Sequence, residues 1–184
     1  MIPTPTRFTE IDQQLTWLGL NQEGQPFSEP KNANNVVLEA PVTHPGGRVT
    51  RVGTRILGLG EVRMTGPLEI MPTSVQTYVS GVHFYSDREP WLVQIPAAGH
   101  VVFLGCVFEK GPTAPMSLVP ANGQCYVNVL AGGAASFVAC VFQGVPAVGG
   151  LIVNNQGAAI NVGIVGCSNR TGQAHGAVTM VFEI

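Results

Sequence analysis

The sequence is short of charge, and that scarcity excludes several classes of protein. Of its 184 residues, Asp, Glu, Lys and Arg make up 11%, whereas a typical soluble domain carries about 25%. The formal net charge is −2, so the chain lacks the basic surface that general binding to nucleic acid requires. No apolar run approaches the roughly 20 residues that cross a bilayer as a helix. Because 45% of the residues are hydrophobic, the composition also excludes a mainly disordered chain. We expect a folded protein whose partners include neither nucleic acid nor membrane.

The cysteines lack the spacings that metal sites use. The four of them, Cys106, Cys125, Cys140 and Cys167, include no Cys-x-x-Cys pair. The first residues show no basic segment followed by an apolar one, so no secretory signal is visible. We therefore expect free, buried thiols that behave as small hydrophobic side chains, in a protein that assembles in a reducing cytoplasm.

A catalytic signature is also missing. The densest acidic cluster contains Asp87 and Glu89, and Glu109 follows one repeat later. Paired carboxylates can hydrolyse glycosides, but we favour a solvated turn whose charges pair with Arg88 and Lys110. His83 and His100 have no third ligand at the spacing of a metal site. We predict that the chain is not an enzyme and holds no cofactor or metal.

The N-terminal segment differs from the rest of the chain. Residues 1–35 combine several prolines with polar runs and a few large apolar residues. Ile11, Leu15 and Leu18 fall at helical spacing, which predicts one short helix. A helix folded back on the body and an arm that anchors to a partner fit this pattern equally well. We predict two parts, an N-terminal attachment arm at 1–35 and a β-domain at 36–184.

From residue 36 onward, helix signals vanish. Short β-branched runs alternate with turn residues, and the chain holds 23 Gly and 14 Pro, which indicates an all-β fold. Four segments, spaced roughly 24 to 34 residues apart, share one pattern: a small residue, then Val or Cys, a variable position, then Phe or Asn. These segments are Val79–Phe84, Phe103–Phe108, Phe137–Phe142 and Ile164–Asn169.

Such repeats are typical of a parallel β-solenoid, in which equivalent residues stack about 4.8 Å apart. We predict a short solenoid (β-helix) of about four to five coils, preceded by an extended or partly helical arm. An antiparallel β-sandwich is the alternative, but its strands would show stronger apolar–polar alternation. The predicted interior ladders are Val82, Cys106, Cys140 and Cys167, and Phe84, Phe108, Phe142 and Asn169.

The repeats also carry a resemblance. Leu-Gly-Cys-Val-Phe at 104–108 and Val-Ala-Cys-Val-Phe at 138–142 resemble the repeats of right-handed parallel β-helix proteins. Among these, the chain looks most like the trimeric β-helices of bacteriophage virions: tailspikes, fibre proteins and capsid decoration proteins. The resemblance covers about residues 55–184. It implies a homotrimer in the virion, assembled in the cytoplasm of the host bacterium.

Alternation along the strands predicts the surface through which copies associate. If the Cys and Phe positions point inward, their neighbours point outward and form two mainly apolar columns. A contiguous exposed apolar patch usually marks an interface, and cyclic symmetry is the usual arrangement of its copies. The predicted interface residues are Val79, Phe103, Val107, Phe137, Val141 and Ile164.

These observations favour a structural protein of the phage particle. The leading hypothesis is a capsid decoration (cement) protein that binds the major capsid protein or other virion proteins and stabilises the head shell. A tail fibre or tailspike component that binds host surface glycan is the alternative, and a small polysaccharide-degrading enzyme is the third. The predicted attachment residues are Phe8, Ile11, Leu15, Trp17 and Leu18 in the arm, and Arg48, Arg51 and Arg55 beyond it.

Overall fold

The computed structural model of the chain describes residues 35–39, 42–49, 52–71, 76–113, 125–144, 151–156, 161–172 and 180–183. Within these ranges the regular elements are fifteen β-strands in two sheets. No helix in the described residues is long and apolar enough to cross a membrane. Residues 1–34 lie outside the described part, so the helix and the attachment arm expected there remain predictions.

The larger sheet has ten strands. They are β1 (Asn35–Glu39), β2 (Val42–His44), β4 (Arg55–Met64), β6 (Thr77–Ser86), β8 (His100–Leu104), β9 (Val107–Lys110), β11 (Ala134–Val138), β12 (Val141–Gly144), β14 (Val162–Asn169) and β15 (Met180–Glu183). The smaller sheet has five strands: β3 (Gly47–Val49), β5 (Leu68–Ile70), β7 (Val93–Ile95), β10 (Cys125–Val129) and β13 (Leu151–Asn155).

Every pairing in both sheets is parallel, which confirms an all-β fold and excludes the antiparallel sandwich. Each strand pairs with the equivalent strand of the next repeat, so like residues stack on like. Phe84 of β6 pairs with Phe108 of β9, which pairs with Phe142 of β12. A parallel sheet needs connections that leave it and return in the same direction, and the strands of the smaller sheet lie within these connections.

The core between the sheets contains two stacks of phenylalanine rings. Phe84, Phe108 and Phe142 form one stack, with ring centroids 5.1 and 5.2 Å apart. Phe103 and Phe137 form the other, with centroids 5.1 Å apart. The two stacks meet edge to face, for example at 5.2 Å between Phe103 and Phe108. Both arrangements suit the ring quadrupole and add to the stabilisation from burial.

A bend in the larger sheet explains why both stacks point inward. At the same position in four repeats, one residue adopts a positive φ: Gly81 (66°), Gly105 (58°), Ala139 (52°) and Gly166 (60°). This left-handed residue interrupts the two-residue alternation of a strand. The side chain two positions before it and the side chain one position after it therefore both point into the core, as Phe103 and Cys106 do.

The bend corrects four of the six predicted interface residues. Val79, Phe103, Phe137 and Ile164 are each at most 1% exposed, so they belong to the core and the prediction that they line an outer face is wrong. The cause is that strict alternation was carried through the left-handed residue. The remaining two, Val107 and Val141, lie on the outer face and are half-buried; their role in an interface stays a prediction.

The cysteine ladder forms as predicted, and the thiols are free and buried. Each thiol of the three stacked repeats donates a weak hydrogen bond to a carbonyl of the preceding repeat: Cys106 to Val79 at 3.5 Å, Cys140 to Phe103 at 3.6 Å, and Cys167 to Phe137 at 3.4 Å. The thiols thus supply donors to carbonyls beside the bend, where a purely apolar side chain could not.

The second ladder is interior except at its last member. Asn169 stacks on Phe142 but is half-buried, and its Oδ1 accepts hydrogen bonds from the backbone N–H and the hydroxyl of Thr171. An amide oxygen that binds its own backbone two residues on is typical of a turn. Asn169 therefore ends this aromatic ladder.

Candidate functional site

The outer face of the larger sheet carries a mainly apolar, partly exposed column, which we call the apolar strip. Its members are consecutive partners on six neighbouring strands: Val37, Leu57, Ser80, Leu104, Val138 and Val165. Four of them, Val37, Leu57, Leu104 and Val165, are between 40% and 53% exposed. None of the six carries a charge, and Tyr78 and Leu59, also exposed, flank the column.

The position of the apolar strip follows from the bend. From β6 to β14, each strip residue directly precedes the left-handed residue, as Leu104 precedes Gly105 and Val165 precedes Gly166. The residue before the bend still follows the alternation of the first half of the strand, and its side chain therefore points outward. The small residue at the third place of each repeated segment was the sequence signal that could have located this column.

Beside the apolar strip, one repeat departs from the regular bend. Leu57 and Val62 of β4 pair with Ser80 and Val82 of β6. Between these two pairs β4 has four residues, 58–61, whereas β6 has only Gly81. Gly58 and Gly81 pack backbone against backbone: a Cβ on Gly81 would lie 2.6 Å from the carbonyl oxygen of Gly58. No other residue type could occupy this contact without displacing the backbone.

This irregular bend borders an open groove of about 850 Å³, which we call the bend groove. Backbone of Gly58, Gly60, Gly81 and Gly105 lines part of it. The side chains that line it include Thr43, Glu61, Arg63, His83 and Val107. Thr43, Arg63, His83 and Val107 are successive partners on β2, β4, β6 and β9, so the sheet register itself aligns them.

Arg63 is held in a defined position in the bend groove. Its guanidinium carbon lies 3.9 Å from the ring centroid of Tyr85, a cation–π contact. The Nε atom is buried and has no hydrogen-bond partner among the residues that the structure describes. In the described part of the chain, no carboxylate forms an ion pair with this guanidinium.

His83 belongs to a hydrogen-bonded network with Glu109 and Gln143. Its Nε2 lies 2.7 Å from Oε2 of Glu109, and Nε2 of Gln143 donates to the same oxygen at 3.0 Å. Glu109 is thereby committed to these two partners and is not the counter-ion of Arg63. When His83 is neutral and Nε2 carries the proton, Nδ1 is left as an acceptor.

Two of the carboxylates considered for glycoside hydrolysis, Asp87 and Glu109, have other partners in the structure. The register places Glu109 beside Tyr85, whereas Asp87 lies against Gly111. Asp87 instead faces Arg88 at 3.9 Å. The described residues also contain no cluster of three or more His, Cys, Asp or Glu side chains that could hold a metal ion.

The predicted attachment arginines divide between the two sheets. Arg48 lies on β3 and forms an ion pair with Glu69 at 3.2 Å. Arg55 begins β4 in the larger sheet, with its guanidinium 5.8 Å from the ring centroid of Tyr78. Arg51 lies outside the described residues, as do Phe8, Ile11, Leu15, Trp17 and Leu18, so the proposed particle contact stays a prediction.

The structure corrects the expectation that Lys110 lies in a solvated turn. Lys110 is 0% exposed, and its Nζ donates hydrogen bonds to the carbonyls of Glu89 at 2.9 Å and Pro90 at 2.8 Å. Burial lowers its pKa to about 8, because removal from water disfavours the charged form. Its two carbonyl partners lie in the connection between β6 and β7, so Lys110 fixes that turn and is not part of the bend groove.

Comparison of the chain with protein-family models, with curated proteins and with solved structures finds no match.

Proposed function

We propose that the chain is a structural subunit, a short parallel β-solenoid that associates with further copies of itself through the apolar strip. In this interpretation the successive repeats are coils that stack along one axis. The parallel registers support it, since Val107, Val141 and their neighbours stand on equivalent residues of the next repeat. The single hydrophobic core that both sheets share supports it as well.

The observation that carries the proposal is the exposure of the apolar strip. Leu57, Leu104 and Val165 lie on strands that are already buried on their inner face, so their outer face adds an apolar surface that a lone chain leaves in water. Contiguous patches of this kind mark interaction surfaces. Because the column carries no charge, its partner surface is apolar as well, and a second copy supplies such a surface.

The setting of this assembly is the head of a bacteriophage particle, where a trimer would act as a capsid decoration protein. The phage setting and the trimer rest on the likeness of the repeats at 104–108 and 138–142 to trimeric virion β-helices. A subunit that binds only the assembled shell stabilises it by mass action. Decoration requires no catalytic site.

Light scattering on the purified full chain tests self-association. We expect the mass of an oligomer for the wild type and the mass of a single chain, or a precipitate, for Leu104→Glu with Val165→Glu. Val52→Glu is the matched control, because Val52 is 54% exposed against 53% for Leu104 but lies in a turn outside the apolar strip. A wild-type monomer, or equal effects of the two changes, would overturn the proposal.

The position in the particle needs a second test. An antibody against the chain should label the heads of virions that contain it when they are viewed by electron microscopy. Labelling restricted to tails would overturn the decoration role while leaving self-association intact.

A further inference from the structure

We propose that the bend groove binds a small hydroxylated carboxylate, such as an acidic sugar, with the carboxylate on Arg63. This inference is independent of the apolar strip and of the assembly proposed above. It rests on three properties of the groove: a positioned guanidinium, an unpaired acidic group, and a backbone surface without side chains.

The guanidinium of Arg63 is prepared for an acceptor that the described residues do not provide. Its cation–π contact with Tyr85 at 3.9 Å restricts the position of the group, which reduces the conformational freedom lost on binding. Arginine carries five N–H donors in a fork that matches the two oxygens of a carboxylate. The carboxylate of Glu109 is already engaged with His83 and Gln143.

A second group narrows the class of ligand. Glu61 is exposed, lines the same groove, and forms no ion pair among the described residues. Its negative charge disfavours phosphates and polyanions, since one arginine cannot neutralise several charges beside a carboxylate. A ligand with a single carboxylate and several hydroxyl groups fits both charged residues. Its carboxylate binds Arg63, and its hydroxyls donate to Glu61 and to Nδ1 of His83 and accept from Thr43.

The glycines allow the ligand to approach closely. Gly58, Gly81 and Gly105 present backbone without a Cβ to the groove. The volume of about 850 Å³ lies within the roughly 300–1,000 Å³ of known small-molecule sites. The groove therefore has room for a ligand of a few sugar rings in addition to the carboxylate that Arg63 holds.

Calorimetric titration of the full chain with two trisaccharides tests the proposal. The probes are 3′-sialyllactose, which carries one carboxylate, and maltotriose, which is neutral. We expect the wild type to bind 3′-sialyllactose and to bind maltotriose more weakly. Arg63→Gln should weaken 3′-sialyllactose binding roughly tenfold or more, since it removes charge-assisted hydrogen bonds.

Arg88→Gln is the matched control. It removes the same charge from a side chain that is 87% exposed and lies in another part of the surface, so 3′-sialyllactose binding should be unchanged. Equal losses in the two variants would show general attraction to positive charge and overturn the site. No binding of 3′-sialyllactose by the wild type, or equal binding of maltotriose, would overturn it as well. The mass in solution reports separately on the apolar strip, so failure of one proposal leaves the other standing.

Discussion

At the scale of single residues, the fold depends on a backbone conformation more than on a residue type. Three of the four equivalent bend positions hold glycine, but Ala139 adopts the same left-handed conformation with φ of 52°. For an L-residue with a Cβ this conformation costs roughly 1–2 kcal/mol. The bend is therefore worth more to the fold than that strain, and glycine is the less costly way to form it.

Two glycines at equivalent bends should differ sharply in their tolerance of alanine. At Gly105 a Cβ meets nothing within 4 Å, so Gly105→Ala should lower the free energy of unfolding by about 1 kcal/mol, the cost of the left-handed conformation alone. At Gly81 the same atom would lie 2.6 Å from the carbonyl oxygen of Gly58. Gly81→Ala should therefore cost more, as measured by urea denaturation. Equal losses would contradict the backbone contact.

The buried thiol of Cys125 should make stability depend on alkaline pH. Burial raises its pKa to about 12 from about 9. Above pH 9 the unfolded chain releases this proton while the folded chain keeps it, so folding loses about 1.4 kcal/mol per pH unit for this group up to about pH 12. Cys125→Ala should reduce that slope, measured by denaturation at several pH values under reducing conditions.

A nearby apolar truncation separates this effect from simple loss of packing. Val153→Ala, on the neighbouring strand β13, should also lower stability, because it removes buried apolar atoms. It should leave the dependence of stability on pH as in the wild type. If the slope changes equally in both variants, Cys125 is not its source.

Burial of single residues was predictable from the sequence only on one side of each bend. The ladder of Cys106, Cys140 and Cys167 was predicted correctly, because equivalent residues stack in a parallel sheet. Phe103 and Phe137 were predicted to lie on the surface, because strict alternation does not account for a left-handed residue. The four residues 58–61 could not be predicted either, since one repeat contains them and the others do not.

At the scale of elements, the pairing of strands brings aromatic residues of successive repeats into contact. The ring of Phe108 has the most ring neighbours of the two stacks, with Phe84 and Phe142 on its faces and Phe103 and Phe137 at its edges. These contacts couple three successive repeats. The second stack shares them, so the two stacks pack as one aromatic cluster.

Truncation of the central ring should therefore cost more than truncation at the end of the stack. Phe108→Ala should lower the free energy of unfolding by about 3–5 kcal/mol. Phe84→Ala should cost less, because Phe84 contacts only Phe103 and Phe108 among the described rings. Chemical denaturation of both variants measures the difference, and a larger loss at Phe84 would contradict the arrangement.

At the scale of the whole molecule, stability should vary with position along the stack of repeats. In such an arrangement each repeat contacts its neighbours alone. β10 is paired on both sides, whereas β13 lies at the edge of the smaller sheet in the described chain. Amide hydrogen exchange should therefore be slower in β10 than in β13. Faster exchange in β10 would show that the smaller sheet does not unravel from this edge.

The general architecture was accessible from the sequence, whereas the surface was not. The repeated Gly-Cys-Val-Phe pattern was sufficient to predict parallel, in-register strands. The apolar strip and the bend groove depend on the phase of each side chain after the bend, as at Leu104 and Arg63. Composition does not indicate which way a side chain points, and periodicity indicates it only where the backbone stays extended.

The apolar strip has a fixed period because its members are partners in one hydrogen-bonded ladder. Val37, Leu57, Ser80, Leu104, Val138 and Val165 recur at the spacing between strands, about 4.8 Å. The turns of an α-helix repeat every 5.4 Å, so the side chains along one face of a helix would not stay aligned with the residues of the strip. A neighbouring copy of the same ladder is commensurate over the full length. This match in spacing favours the proposed association of copies over the binding of a helical partner.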